Sequence, residues 1–299
     1  MTLIILLLIL VIERVALQSQ VWQVHYYLRS YCAWVFPKLK RSKNSNWSLL
    51  LLVALPAIVL LSLLVLLNNG LIDFIVGLLV VAVCIGNPNA RQLYRQYLNA
   101  LGRKDEEAQF ILQTKLAKSC EGYIPPNKEH DEQHQEQVEQ AQALKQQQET
   151  LGETLIWINF RYYAAPIFYF VLLGVPGLVL YSTLLFLAEH SKANNAFSES
   201  QQQTLFKWLE WMFWLPSRLV SLGFMIVGHF SNGLETWLKY AANFSYPARE
   251  MLCKVALKSE QYGDSIERNN AQHMVKLTKR NMILFLVMVA LLTLYGQII

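Results

Sequence analysis

WSLLLLVALPAIVLLSLLVLL, residues 47–67, is followed at once by NNG, residues 68–70, and then by LIDFIVGLLVVAVCIG, residues 71–86. The first run has the roughly 20 apolar residues that a helix needs to cross a bilayer. Asn68-Asn69-Gly70 suits a tight turn, because Asn and Gly tolerate positive φ. At the far end Gly86 can cap a helix and Pro88 cannot continue one. Two apolar runs joined by such a turn predict a transmembrane helical hairpin over 47–86, and with it an all-α fold in lipid.

The composition agrees. Of 299 residues, 54% are hydrophobic and 16% charged, with a mean hydropathy of +0.26, against roughly 45–50% apolar and about 25% charged in soluble domains. A disordered, collagen-like or disulfide-stapled chain is excluded. The net charge of +5 is too mild and too scattered for a nucleic-acid binder. Cys32, Cys84, Cys120 and Cys253 lie far apart with no C-x-x-C spacing, so they read as free thiols in a reducing setting rather than a zinc cage or redox motif.

Further spans are expected. Ala164 to Ala188 has Pro166 near its start and Gly174-Val175-Pro176-Gly177 in its middle, which predicts a kink or a broken helix. Met282 to Ile299 follows a basic collar of Lys276, Lys279 and Arg280. Trp211 to Phe230 either spans or lies in the interface. Leu3 to Ile12 has the length of a signal-peptide core, but no positive region precedes it and Glu13-Arg14 follows it, so it is kept as a membrane helix of the mature protein.

Lys and Arg number five between Leu17 and Trp47, eight from Arg91 to Lys145 and eight from Lys239 to Arg280, but only two between Ala188 and Trp211. The positive-inside rule then puts the three basic stretches in the cytoplasm and 189–210 outside. The expected fold is an all-α polytopic bundle of about six spans, and no fewer than four. Its segments are an N-terminal membrane helix (1–17), a basic cytoplasmic segment (18–46), the hairpin (47–86), a cytoplasmic helical and polar segment (87–153), transmembrane and amphipathic helices (154–238), a second basic cytoplasmic segment (239–281) and a C-terminal transmembrane helix (282–299).

Charges at the membrane edge are the most informative candidates for a site, since ionised groups in lipid tend to face protein, a partner or water. Glu13 and Arg14 end the first run, Arg161 precedes Ala164, Glu189-His190 ends the fourth span, and Glu210 and Arg218 flank Trp214-Leu215-Pro216. Arg161 and Arg218 either snorkel to the interface or join a polar cluster between helices. Trp208, Trp211 and Trp214 read as an interfacial belt. His130 and His134 share one helix face at i and i+4, but they stand in a low-complexity Gln/Glu tract with no third ligand, so no metal and no cofactor is indicated.

Leu155-Ile156-Trp157-Ile158-Asn159-Phe160-Arg161-Tyr162-Tyr163, followed by Ala164-Ala165-Pro166-Ile167-Phe168, resembles the hallmark of the AmpE family, inner-membrane proteins of β-lactamase regulation. The opening Met1 to Arg14, Trp214-Leu215-Pro216-Ser217-Arg218-Leu219 and the closing Ala290 to Gly296 are similar as well. The resemblance implies a multi-pass inner-membrane regulator of β-lactamase induction and of the response to β-lactam antibiotics. Its partners would be the lipid bilayer and an unidentified protein or small ligand. A more distant similarity to the CbiB/CobD cobalamin-biosynthesis proteins implies the alternative, an enzyme forming an amide or transferring a group on a phosphate-bearing substrate. Where that family carries Glu-Asn and a downstream Asp before its Ala-Pro, this chain has Trp157-Ile158 and Arg161, and where it carries Asn and Asp after its Pro-Gly, this chain has Leu185 and Ala188, so the resemblance favours a regulator over an enzyme.

Overall fold

A computed structural model describes residues 2–15, 24–39, 46–118, 151–193, 197–241, 243, 246–260 and 270–295, and every regular element among them is helical. In chain order these are α1 (Thr2–Val15), α2 (Val24–Leu39), α3 (Asn46–Leu67), α4 (Gly70–Cys84), α5 (Pro88–Gly102), α6 (Glu106–Lys118), α7 (Leu151–Asn159), a π-helical stretch (Phe160–Ala164), α8 (Ala165–Ala193), α9 (Glu199–Val227), α10 (Phe230–Ala241), α11 (Ala248–Ser259) and α12 (Asn270–Leu294). They fall into two compact units. One comprises residues 1–88, 161–212 and 286–299, and the other comprises 89–160 and 213–285.

The α3–α4 pair forms where the sequence places it. Asn68 adopts φ 39° at the turn, and the Asn69 side chain accepts a hydrogen bond from the Leu71 N–H at 3.0 Å, capping α4. After α4, Gly86 turns the chain at φ 105°, a conformation that costs glycine little. Along α3, Leu49, Leu52, Val53 and Ala57 are buried while Leu51, Ile58, Val59, Val65 and Leu66 are exposed. That is the two-faced pattern of a helix with protein on one side and lipid on the other.

Three helical stretches among the described residues are long and apolar enough to cross a membrane: Trp47–Leu67, Leu151–Ser191 and Gln272–Leu294. The α4 and α5 pair, bent by 47°, would make a fourth. Two of the expected spans are not among them. α1 has 14 residues, a rise of about 21 Å against about 30 Å of hydrocarbon. Trp211 to Phe230 falls mostly in α9, which opens on Glu199, Gln201, Gln202, Gln203, Lys207 and Glu210 and is not among the stretches long and apolar enough to cross.

The Leu151–Ser191 stretch differs from its expected form more deeply. The Nη2 of Arg161 and the Oε1 of Glu189 are 2.6 Å apart, although a straight helix would separate residues so placed by about 42 Å. The helix therefore doubles back. Gly174, at φ 68° and ψ −158°, is the point of reversal, a backbone region open to glycine and closed to other residues. The two arms meet in register about Val175: Tyr169 stacks on Tyr181 with centroids 5.4 Å apart, and Arg161 meets Glu189. Gly177 is required at the bend because a Cβ there would run into Leu173 and the Tyr169 carbonyl. Ala164–Ala188 is thus a helical hairpin rather than a single crossing. Arg161 and Glu189 share one end, so the return arm offers no support for placing 189–210 across the membrane. The pair packs against α3 and α4, with α1 and α2 alongside.

Prolines inside the helices carry the next layer of organisation. A helical proline has no N–H for the carbonyl four residues back, and a buried orphan carbonyl is costly. Pro56 frees the Leu52 carbonyl, which accepts from the Tyr31 hydroxyl at 3.0 Å. Pro216 frees the Met212 carbonyl, which accepts from the Tyr169 hydroxyl at 2.7 Å. Pro166 follows the π-helical stretch, where the i→i+5 turn and the missing proline N–H bear on the Arg161 and Tyr162 carbonyls. The Tyr181 hydroxyl takes the first at 2.7 Å and the Gly86 N–H takes the second at 2.9 Å. Tyr169→Phe is accordingly expected to cost about 1–3 kcal/mol by orphaning a carbonyl, and far less in a Pro216→Ala background, where residue 216 regains its own N–H. Thermal midpoints of the four proteins of this cycle test the coupling; an equal loss in both backgrounds would refute it.

In the second unit α10 packs on α11, and α7 on α6 and α11. Met225, Tyr240, Met251 and Val255 form its core with Leu222, Leu234, Trp237 and Tyr246 against them. Trp157 stacks on Phe160 with centroids 5.5 Å apart, and both rings meet Phe213 edge-on at 5.3 and 5.4 Å.

Candidate functional site

Glu189, near the end of the return arm, gathers the polar groups of the first unit. Its Oε1 accepts from Arg161 Nη2 at 2.6 Å and from the Tyr162 hydroxyl at 2.8 Å, and its Oε2 lies 3.2 Å from His25 Nε2 on α2. Adjacent residues of an α-helix do not share a face. The π-helical turn is what lets Arg161 and Tyr162 both reach one carboxylate, a use of π-bulges that recurs at functional sites. His25 meets Phe186 edge-on at 5.5 Å, Phe186 stacks on His190 at 3.9 Å, and the two imidazoles are 6.0 Å apart.

The burial is uneven. The Arg161 side chain is 1% exposed, Glu189 15% and His25 38%. An arginine so placed stays charged and would be expensive without a carboxylate. The ion pair therefore neutralises it, while His25 gives the same carboxylate a contact that solvent can reach. Chemically the arrangement is a closed latch between the two arms with an imidazole at its edge.

Of the residues singled out in the sequence, Arg161, Glu189 and His190 come together here. Arg218 belongs to the other unit, where it is 7% exposed and acts as a helix cap. Its Nη2 donates to the carbonyls of Tyr240 and Asn243 at 3.4 and 3.2 Å, its Nε donates to Ala241 at 3.5 Å, and its Nη1 reaches the Trp214 carbonyl and Ser217 Oγ, both at 3.2 Å. The guanidinium also lies 4.8 Å from the Trp214 ring centroid. Neither arginine snorkels. Glu210 is partly buried on α9. The side chains of Glu13 and Arg14, and both His130 and His134, lie outside the described residues. Trp211 is 84% exposed, whereas Trp214 is engaged by Arg218. His25 and Tyr162 were not identified from sequence. Nothing local marks His25, which stands in a short aromatic-rich stretch and acquires its role only through a residue 164 positions away. Among the described residues no three His, Cys, Asp or Glu side chains gather as a metal site.

Comparison with known proteins matches residues 1–299 to the family described as regulatory signalling modulator protein AmpE. Among curated proteins, the chain is 26% identical to "Protein AmpE" of Shigella flexneri over 313 residues, covering 100% of both chains. No solved structure matches.

Proposed function

Because the chain belongs to the AmpE family of regulatory signalling modulators, we propose that it is a multi-pass protein of the bacterial inner membrane that modulates β-lactamase induction and the response to β-lactam antibiotics. The observation that carries this reading is the family match along the whole chain. A regulator also needs an element with two discrete arrangements, and a helical hairpin pinned at one end by Arg161 and Glu189 and hinged at Gly174 suits that role. Deleting the gene with its neighbours intact and measuring β-lactam-induced β-lactamase tests the function directly. The expected result is an altered induction curve, and an unchanged one would remove the proposal.

The topology has its own test. With the hairpin returning to the side from which it starts, and α9 not crossing, Ser200 shares the cytoplasmic side with the basic stretches that hold Arg103 and Lys258. Single cysteines at these three exposed positions, in a cysteine-free background, are expected to react with a membrane-impermeant thiol reagent only after the membrane is opened. Labelling of Ser200→Cys in intact spheroplasts would restore the external placement of 189–210.

A further inference from the structure

Along α9, from Trp211 to Val227, the usual distribution of polarity is inverted. The polar side chains of this stretch, Ser217, Arg218 and Ser221, are all buried, and each bonds to carbonyls of the protein itself. The exposed positions are Trp211, Leu215, Leu219 and Ile226, whose spacing puts them on one face of the helix. The half-buried positions beside them are apolar or aromatic as well. Lys207, also exposed, heads the same line one turn before Trp211. A face that meets water or a protein partner carries polar groups, at least at its rim, and between Trp211 and Val227 this one carries none. The opposite side of the helix is occupied by protein, with Met225 in the core beside Tyr240, Met251 and Val255.

A contact with α12 sets the depth of this face. α12 contains a stretch long and apolar enough to cross a membrane. Its Asn281 is buried and donates through Nδ2 to the Val220 carbonyl of α9 at 3.0 Å. A Cβ on Gly223 would run into Asn281 Oδ1, so α9 lies directly against α12 at this point. Asn281 immediately follows the exposed Lys276, Lys279 and Arg280, the basic collar that marks the cytoplasmic end of the span. The two helices therefore meet where head groups give way to acyl chains. We infer that α9 is an interfacial helix, its Trp211–Ile226 stripe immersed in the acyl boundary of the cytoplasmic leaflet and Lys207 reaching up to lipid phosphates. Bilayer lipid is the occupant that fits, because the stripe lacks a polar rim, adjoins a membrane span, and begins with the Lys and Trp that favour a membrane edge. The inference rests on the reading of the chain as a membrane protein with cytoplasmic basic stretches; with both flanks of α9 on that side, the helix lies along the boundary rather than through it. Composition understates this face because the serines and the arginine that lower its hydropathy point inward.

The full-length protein in vesicles of phosphatidylethanolamine and phosphatidylglycerol can carry one nitroxide at a time on Leu215→Cys, Leu219→Cys or Ile226→Cys, in a cysteine-free background. All three side chains are exposed, so the label displaces no packing, and no single substitution decides the result. Lys258→Cys, exposed on α11, is the reference for water, and Leu291→Cys, exposed on α12, is the reference for lipid. Power saturation reads how often each label collides with oxygen, which partitions into lipid, and with a nickel chelate, which stays in water. The three stripe labels are expected to collide more with oxygen than with nickel, the inverse of Lys258→Cys, at similar depths that are all shallower than that of Leu291→Cys. Labels as open to nickel as Lys258→Cys would overturn the inference by placing the stripe in water. Labels closed to both reagents would overturn it by showing that protein, a second copy or a partner, covers the face. A steady deepening from Leu215→Cys to Ile226→Cys, reaching the depth of Leu291→Cys, would overturn it by showing that α9 crosses. Nickel access at Leu291→Cys itself would instead remove the membrane reading on which the inference stands, and the inference with it.

Discussion

Glu189→Ala is expected to be the most damaging single change in the first unit, lowering stability by about 3–5 kcal/mol, because it strands the Arg161 guanidinium in a site where its side chain is 1% exposed. The reverse change should hurt less. Arg161→Ala leaves a carboxylate that is 15% exposed, keeps Tyr162 as a donor, and can take up a proton, which arginine cannot shed. Glu189→Gln should fall between the two, since it can still accept from Arg161 and Tyr162 but no longer balances the charge. The double variant Arg161→Met/Glu189→Leu should recover much of the loss, as buried pairs replaced by apolar residues of similar volume often do. Thermal midpoints and folded yields in detergent, with exposed Arg103→Ala as the control, measure the series. A wild-type midpoint in Glu189→Ala would mean that the pair holds nothing, and equal losses in the two alanine variants would refute the asymmetry.

The same pair shows where sequence reading succeeds and where it stops. The α3–α4 hairpin is legible because its determinants are local: an unbroken apolar run, two asparagines and a glycine at the turn, and Gly86 and Pro88 at the end. The Gly174–Gly177 stretch announces a break just as locally. The size of the bend is not written there, since a modest kink and a full reversal use the same residues. What distinguishes them is the contact between Arg161 and Glu189, 28 positions apart, which becomes visible only when both arms are in place. Counting Lys and Arg depends on this, because the sides it assigns change whenever one presumed crossing turns back. The tyrosines were legible as aromatic residues and not as donors; their link to Pro56, Pro166 and Pro216 depends on which carbonyl each proline frees and which hydroxyl the packing brings to it. Short α1 is a simpler case, since apolar composition fixes the preference for burial and leaves open whether lipid or protein provides it. Ile5, Leu6 and Ile9 are buried, and α1 packs on α4 and α8.

Arg218→Ala is expected to cost the second unit several kcal/mol by a different mechanism, one that involves no acid. The last carbonyls of a helix have no intrahelical donors, and at the end of α10 those of Tyr240 and Ala241, with Asn243 just beyond, receive Arg218, the Tyr240 carbonyl accepting from the Asn243 N–H at 3.3 Å as well. Bonds from a charged donor are worth about 1.5–3 kcal/mol, a cation suits the negative end of the helix dipole, and the Trp214 ring adds about 0.5–2 kcal/mol to a desolvated guanidinium. Lysine has the charge but lacks the planar fork that reaches several carbonyls at once, so Arg218→Lys should recover only part of the loss. Because Trp237 Nε1 donates to the Arg218 backbone carbonyl at 3.3 Å and to Ser221 Oγ at 3.1 Å, α10 keeps a second tie to α9 in both variants and should fray rather than detach. Hydrogen exchange resolves this: amides in the last turn of α10, near Tyr240, should exchange faster in Arg218→Ala, while those around Glu189 in the other unit keep their wild-type rates. Faster exchange throughout both units would show that Arg218 holds more than the end of one helix, and no change at Tyr240 would refute its role as a cap.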